Sequence, residues 1–250
     1  MGFTLVNELP TPAEILEQFP LADHLAALKK ERDEEIKKVI TGQSNKFLVI
    51  IGPCSADNED AVCDYANRLA KVQLIIIPRV YTNKPRTTGE GYMGMLHQPD
   101  PEKKPDMLQG ILAIRHMHMR VLRETGMSTA DEMLYPDNLQ YLSDIMSHIA
   151  VGARSVENQY HRLVASGCDV PVGMKNPTSG DMTVMLNSVV AAQLPHDFIF
   201  RGDEVSCPGN PLTHVILRGA VNKRGQCSPN YHYEDLRLLY DLYSQRELKN

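Results

Sequence analysis

The sequence predicts an α/β fold: a TIM-type (β/α)8 barrel, incomplete at about six of its eight strand–helix units, with an N-terminal helical extension. Three observations predict it. Short β-rich apolar runs alternate with helical stretches, as in parallel strands joined by crossover helices. The chain has 250 residues, the size of one such barrel. Successive apolar runs end in a cation: Ile75 to Arg79, Val151 to Arg154, Pro171 to Lys175 and His214 to Arg218. The loop Lys84-Pro85-Arg86-Thr87-Thr88 follows just past the first of these. Carboxyl ends of parallel barrel strands converge on one face, so cations there suit a substrate with several negative charges. The alternative topology is an open six-stranded sheet, which right-handed crossovers also permit.

Residues 1–45 read as the extension, a helical segment suited to subunit or regulatory contacts, and 46–250 as the partial barrel. Thr11, Pro12 and Glu14 make a helix start, with Thr11 as N-cap and Glu14 closing a capping box. Residues 21–40 form an amphipathic helix, with Leu21, Leu25, Leu28, Ile36, Val39 and Ile40 on one side. The first buried strand lies within 46–55, closed by a Gly-Pro turn, and its helix runs over 60–71. A second strand covers 74–80. A long loop rich in Pro, Gly and Lys follows, and loops of that length are usually functional. Helices are expected over 107–125, 137–148, 156–166 and 182–193, with strands over 128–134, 149–155 and 170–176 between them. The segments 197–201 and 204–207 suggest an inserted hairpin. A sixth core strand covers 214–219, and a closing helix covers 233–249.

Composition narrows the function. The chain is 42% hydrophobic and 23% charged, enough for a sizeable core. Its net charge of −5 with locally clustered cations argues for a small anionic ligand and against a nucleic-acid surface. Five cysteines without a CxxC pair fit a reducing compartment. No basic segment followed by an apolar core opens the chain, and no apolar run is long enough to span a bilayer. The expected location is the cytoplasm, with no membrane partner.

Cys54, in Gly52-Pro53-Cys54-Ser55, falls at the end of the first strand. From the residue alone it is a nucleophile, a metal ligand or a packed thiol. Lys84, Arg86 and the threonines beside them suit a phosphate: Arg gives a fork, Lys a point charge, Thr a hydroxyl. Arg79, Arg154, Lys175 and Arg218 each follow buried residues, where an unpaired cation is unfavourable. One alone reads as a structural ion pair; four at equivalent strand ends read as a ligand site. Glu132, at the third strand end, is the candidate carboxylate that orients them. His116 and His118 lie two apart on a helix and do not share a face. His161 follows the fourth strand and is a weak candidate to line the site.

The motifs GPCS, RVY, KPRTT, GEGYMGMLHQPDP, ADEML, VGARSVENQ, PVGMKNPTSGD and ILRGAVN occur in that order. Together they resemble the type I 3-deoxy-D-arabino-heptulosonate-7-phosphate (DAHP) synthases across essentially the whole chain. The resemblance implies a (β/α)8 barrel that condenses phosphoenolpyruvate with erythrose 4-phosphate, the entry step of the shikimate route to aromatic amino acids. It implies that Arg79, Arg154, Lys175 and Arg218 clamp phosphoenolpyruvate, with Lys84 close to both substrates and Arg79 and Lys84 as the catalytic pair. Arg86 and Thr87 are implied for erythrose 4-phosphate. Cys54 is implied as a ligand to a divalent metal such as Mn2+, Fe2+, Co2+ or Zn2+. An aromatic amino-acid effector and a homo-oligomer are implied as partners. The family completes its metal site with a His, a Glu and an Asp from later strands, and no such motifs occur before Asn250. The expectation is therefore a truncated chain, a poorly bound metal and negligible activity in isolation. The alternative is a non-catalytic fragment that binds phosphorylated ligands or a partner.

Overall fold

The computed structural model describes residues 2–86 and 88–249. In chain order the elements are α1 (Pro12–Gln18), α2 (Asp23–Ile40), β1 (Leu48–Ile51), α3 (Glu59–Leu69), β2 (Ile75–Pro78), α4 (Met107–Thr125) and β3 (Thr129–Glu132). After a 3-10 helix (Pro136–Leu142) come β4 (Met146–Val151), α5 (Gln159–Ser166), β5 (Val172–Lys175) and α6 (Met182–Gln193). The chain continues through β6 (His196–Phe200), β7 (Asp203–Cys207), β8 (His214–Ile216), β9 (Ala220–Val221), β10 (Cys227–Ser228) and α7 (Tyr233–Gln245).

Side-chain caps explain where the helices begin. Thr11 and Glu14 close the capping box on α1. Asn58, Asp106, Asn158 and Asp181 each accept from a first-turn N–H of α3, α4, α5 and α6. Gly126 ends α4 in the left-handed region at φ 68°, where a side chain would be strained.

Six strands run parallel in the order β1-β2-β3-β4-β5-β8. The β2–β3 join is a bridge between Arg79 and Ala130, reinforced by Val80 N–H donating to the Ala130 carbonyl at 2.7 Å. Neighbours in space are neighbours in sequence, as in a barrel wall, and the chain forms the incomplete barrel expected. Inner strands are buried, whereas β1 and β8 at the two edges are half-exposed along their length.

Period-two alternation sorts each strand into two layers. Val49, Ile76, Val80, Ile149, Val151, Val172, Met174 and Val215 pack with the helices. Leu48, Ile50, Ile75, Ile77 and Ala130 face the other side, where Ile36 of α2 joins them. α2 therefore closes the amino-terminal end of the sheet. Its Arg32 Nε donates to the Gly126 carbonyl at 3.3 Å, and its Asp33 accepts from the Ser147 hydroxyl.

The expected helix over 137–148 is the one element that changes type. A short 3-10 helix takes its first half, and β4 begins already at Met146. Met146, Ile149 and Val151 turn to the helices while His148 faces His214 across the sheet, so a strand fits this segment better than a continued helix. The inserted hairpin forms as β6–β7, antiparallel. Asp203 lies exposed at the start of β7, so a small acidic residue there disturbs no packing. The β9–β10 ribbon was not anticipated. Among the described residues no helix is long and apolar enough to cross a membrane.

Candidate active site at the carboxyl ends of the strands

The same alternation that turns Ile75 and Ile77 toward the barrel axis carries on to Arg79 and Tyr81. On β5 it leaves Gly173 and Lys175 on that side, because Val172 and Met174 pack with the helices. On β8 and beyond, His214, Ile216 and Arg218 follow the same parity. The cations thus form the uppermost layer of the axial side, at one end of the sheet.

Lys175 Nζ pairs with Glu132 Oε1 at 2.8 Å, with side chains only 19% and 9% exposed. Gly152 makes room for this pair: a Cβ there would stand 2.7 Å from Glu132 Oε1. Tyr81 lies between two cations, with the Arg79 guanidinium carbon 4.9 Å and Lys175 Nζ 5.0 Å from its ring centre. Burial, then the Glu132 charge, pushes the Tyr81 phenol well above its usual range, so it stays neutral.

Arg79 donates from Nε to the Pro53 carbonyl at 3.1 Å and from Nη2 to the Gly52 carbonyl at 2.8 Å, and its other N–H donors meet no acceptor among the described residues. These bonds bring the end of β1 against the end of β2. Gly52 is required at this contact, since a Cβ would fall 2.1 Å from the Arg79 carbonyl oxygen. Cys54 follows, exposed, with Sγ 2.9 Å from Lys84 Nζ. That hydrogen bond is the main cause holding the Cys54 thiol below its usual range.

Beneath the site, Asp131 joins β3 to the residues after β2. It accepts from Thr82 N–H at 3.0 Å and from Thr82 Oγ1 at 2.5 Å, and buried His118 stands 3.6 Å away. Buried Asn176 ties Arg218 to β5: its Oδ1 accepts from Arg218 N–H at 2.9 Å, and its Nδ2 donates to the Gly219 carbonyl at 2.8 Å. Deeper on the axial side, His148 Nε2 and His214 Nε2 are 3.2 Å apart, and burial holds both rings below their ordinary pKa.

The structure brings together Cys54, Arg79, Lys84, Glu132 and Lys175. Arg154 and Arg218 stand on the same end of the sheet, exposed, and among the described residues neither guanidinium has a partner. Arg86 folds back on its own loop, donating from Nε to the Tyr92 carbonyl at 2.7 Å, and does not reach the cluster. Thr87 lies outside the described residues. His161 is held by the Leu134 carbonyl at 3.1 Å, and His116 by Glu59 at 3.0 Å on the outer surface. Sequence reasoning missed Tyr81, Gly152 and Asn176. Only Tyr81 carried a signal, since it sits two residues past Arg79 and so on the same side of the strand.

For a divalent metal the fit is poor. Cys54 offers a thiol held below its usual pKa range, but its neighbour is an ammonium group, and among the described residues no cluster of three His, Cys, Asp or Glu donors exists. What the arrangement does provide is a cationic, partly desolvated face with unsatisfied N–H donors, matched to a phosphate and a carboxylate.

Comparison with known proteins identifies the family. The family model described as "DAHP synthetase I family" matches residues 24–248. A phospho-2-dehydro-3-deoxyheptonate aldolase of Haemophilus influenzae is 37% identical over 242 residues, covering 92% of this chain and 65% of that protein. The Phe-sensitive enzyme of that name from Escherichia coli is 35% identical, with 90% and 65% covered. This chain therefore spans about two thirds of the length of these relatives. A solved phospho-2-dehydro-3-deoxyheptonate aldolase from Francisella tularensis superposes with a TM-score of 0.90 at 28% identity, covering 99% of this chain and 74% of that one. On the matched sequence, the strand order and the cationic strand ends, the chain belongs to the DAHP synthetase I family.

Proposed function

We propose that this chain binds phosphoenolpyruvate on its strand-end cations and takes part in the condensation of phosphoenolpyruvate with erythrose 4-phosphate. The observation that carries the reading is the convergence of Arg79, Lys84 and Lys175, with Arg154 and Arg218 at the same end of the sheet and without a side-chain partner among the described residues. Arg79, Arg154, Lys175 and Arg218 hold the phosphate and carboxylate, and Lys84 stands where both substrates meet. Glu132 fixes Lys175 through their 2.8 Å ion pair. The enol carbon of one substrate attacks the aldehyde carbon of the other, so no side-chain nucleophile is needed. Arg86 and Thr87 are the proposed contacts to erythrose 4-phosphate, which requires Arg86 to leave the Tyr92 carbonyl. Cys54 is the proposed metal contact, and further donors are needed before a divalent ion is held well.

A cytoplasmic setting and a homo-oligomer complete this reading, with residues 1–45 as the segment that makes subunit or regulatory contacts. Relatives titled Phe-sensitive and Trp-sensitive support an aromatic amino-acid effector. A cavity of about 290 Å³ on the outer side of β4, lined by Ile149, Val164, Cys168, Phe198, Phe200 and Cys207, offers an apolar, aromatic-lined place for one.

The test is product formation from both substrates with Mn2+, beside a chelated control. Metal-dependent product establishes the enzyme reading. Saturable phosphoenolpyruvate binding without product favours the second reading, a non-catalytic ligand-binding chain. Absence of both overturns the proposal.

A further inference from the structure

Among the described residues Tyr81 is the one aromatic residue inside the cation layer. The residue is 7% exposed, and its ring centre lies 4.9 Å from the Arg79 guanidinium carbon and 5.0 Å from Lys175 Nζ. Lys175 Nζ also stands 3.4 Å from the Tyr81 hydroxyl. Two like charges so placed repel each other, and each loses hydration in a partly buried site. The negative face of an aromatic ring offsets both effects without neutralising either charge. Glu132 already pairs with Lys175, and a second carboxylate in place of the ring would cancel the charge that remains for an anionic ligand.

The ring is itself fixed. The Tyr81 carbonyl accepts from Ala56 N–H at 2.8 Å, and the next residue, Thr82, is bound through backbone and side chain to Asp131. Val80, on the opposite side of the extended chain, is fully buried against the helices. Tyr81 therefore has little freedom to turn away.

We propose that Tyr81 is a positioning residue whose ring holds the Arg79 and Lys175 side chains side by side, toward the ligand. The proposal deepens the phosphoenolpyruvate reading and rests on it for its affinity arm. It predicts that the ring matters more than the hydroxyl, which accepts only the long 3.4 Å hydrogen bond from Lys175. Tyr81→Phe keeps phosphoenolpyruvate affinity within about 3-fold, whereas Tyr81→Leu, apolar but without a π face, weakens it roughly 5- to 30-fold. Progressively fluorinated phenylalanines at position 81 weaken binding step by step, because fluorine drains the ring face while leaving its shape. A packing role alone would not follow that series.

The experiment is calorimetric titration of the full chain and these variants with phosphoenolpyruvate, with thermal melts to confirm folding. Nitrogen-detected NMR of the lysine ammonium groups is run on the same samples without ligand. The expected result is a Lys175 signal displaced by the Tyr81 ring current in the wild type and in Tyr81→Phe, and shifted back in Tyr81→Leu. Equal affinities for Tyr81→Phe and Tyr81→Leu overturn the proposal, as does a flat fluorination series. A wild type that binds no phosphoenolpyruvate overturns the functional reading instead. In that case the NMR arm still decides whether the ring orders the cations: an unmoved Lys175 signal in Tyr81→Leu sinks that too.

Discussion

Arg115 on α4 and the arginines at the strand ends are the same residue type under opposite conditions. Arg115 is 1% exposed, and its guanidinium is fully engaged. It forms a two-pronged pair with Asp144 at 2.8 and 2.9 Å, and donates to the Tyr141 carbonyl at 3.1 Å and the Phe19 carbonyl at 2.6 and 2.8 Å. Arg154 and Arg218 are exposed and meet no partner among the described residues. A guanidinium saturated by protein groups has nothing left for a ligand. One held at a strand end with open donors binds an anion at little cost to the fold. Lys175 lies between these cases: Glu132 pairs with it, and its other close neighbour, the Tyr81 ring at 5.0 Å, brings no second negative charge.

The largest expected effect tests the saturated end of that comparison. Arg115→Ala strands the Asp144 carboxylate, the Tyr141 carbonyl and the Phe19 carbonyl, the last of which ties the α1–α2 link to the barrel. Stability should fall by about 3–5 kcal/mol, read by chemical denaturation, with ligand affinity of the folded protein unchanged. Arg154→Ala and Arg218→Ala should do the reverse. Each should weaken phosphoenolpyruvate binding by about 1.5–3 kcal/mol, roughly 10- to 100-fold, with stability within about 0.5 kcal/mol of the parent. If Arg154→Ala destabilises like Arg115→Ala, the distinction between the two kinds of arginine fails.

Gly152→Ala probes the intermediate case. A Cβ at 2.7 Å from Glu132 Oε1 forces that carboxylate off Lys175, at about 1–3 kcal/mol in stability and with weaker binding. A melting point and affinity equal to the parent would show that the pair has room to shift.

The smallest effect is a pH dependence. Burial holds His148 well below 6.5 and His214 below 6.5, the neighbouring charges of His214 and Lys175 adding to the depression at His148. In the unfolded chain both rings bind protons near the ordinary value, so the unfolded state holds more protons in the window just below it. Their contribution is complete above about pH 6.5 and is lost as pH falls, at up to about 1.4 kcal/mol per pH unit for each ring. His148→Leu should flatten the slope of stability between about pH 6.5 and 5. Carboxylates with lowered pKa, such as Glu35 and Glu59, act only at more acid pH, from about 4.5 downward. An unchanged slope in His148→Leu contradicts this assignment.

Much of the fold was legible because its signals are local. Capping residues and helical periodicity fix α1, α4 and α6 at their expected positions, and the turn Arg201-Gly202 marks the β6–β7 hairpin. The segment 137–148 misled because a short apolar stretch fits either period, and contacts with α2 and β8 decide it. The cations of the site were legible one by one from their place at strand ends. Their relations were not: Glu132 and Lys175 are 43 residues apart, and Cys54 and Lys84 are 30 apart. Arg115, the best-satisfied cation among the described residues, sits on a helix with no mark in sequence that distinguishes it from its neighbours.

The most direct test of the account is calorimetric titration of phosphoenolpyruvate into this chain in chelator, beside the Arg154→Ala/Arg218→Ala double variant. The account predicts one saturable site in the parent, weakened about 100-fold or more in the double variant, with both proteins melting together. Equal binding by parent and variant, or no binding by the parent, would contradict the claim that the open strand-end arginines exist to hold an anionic substrate.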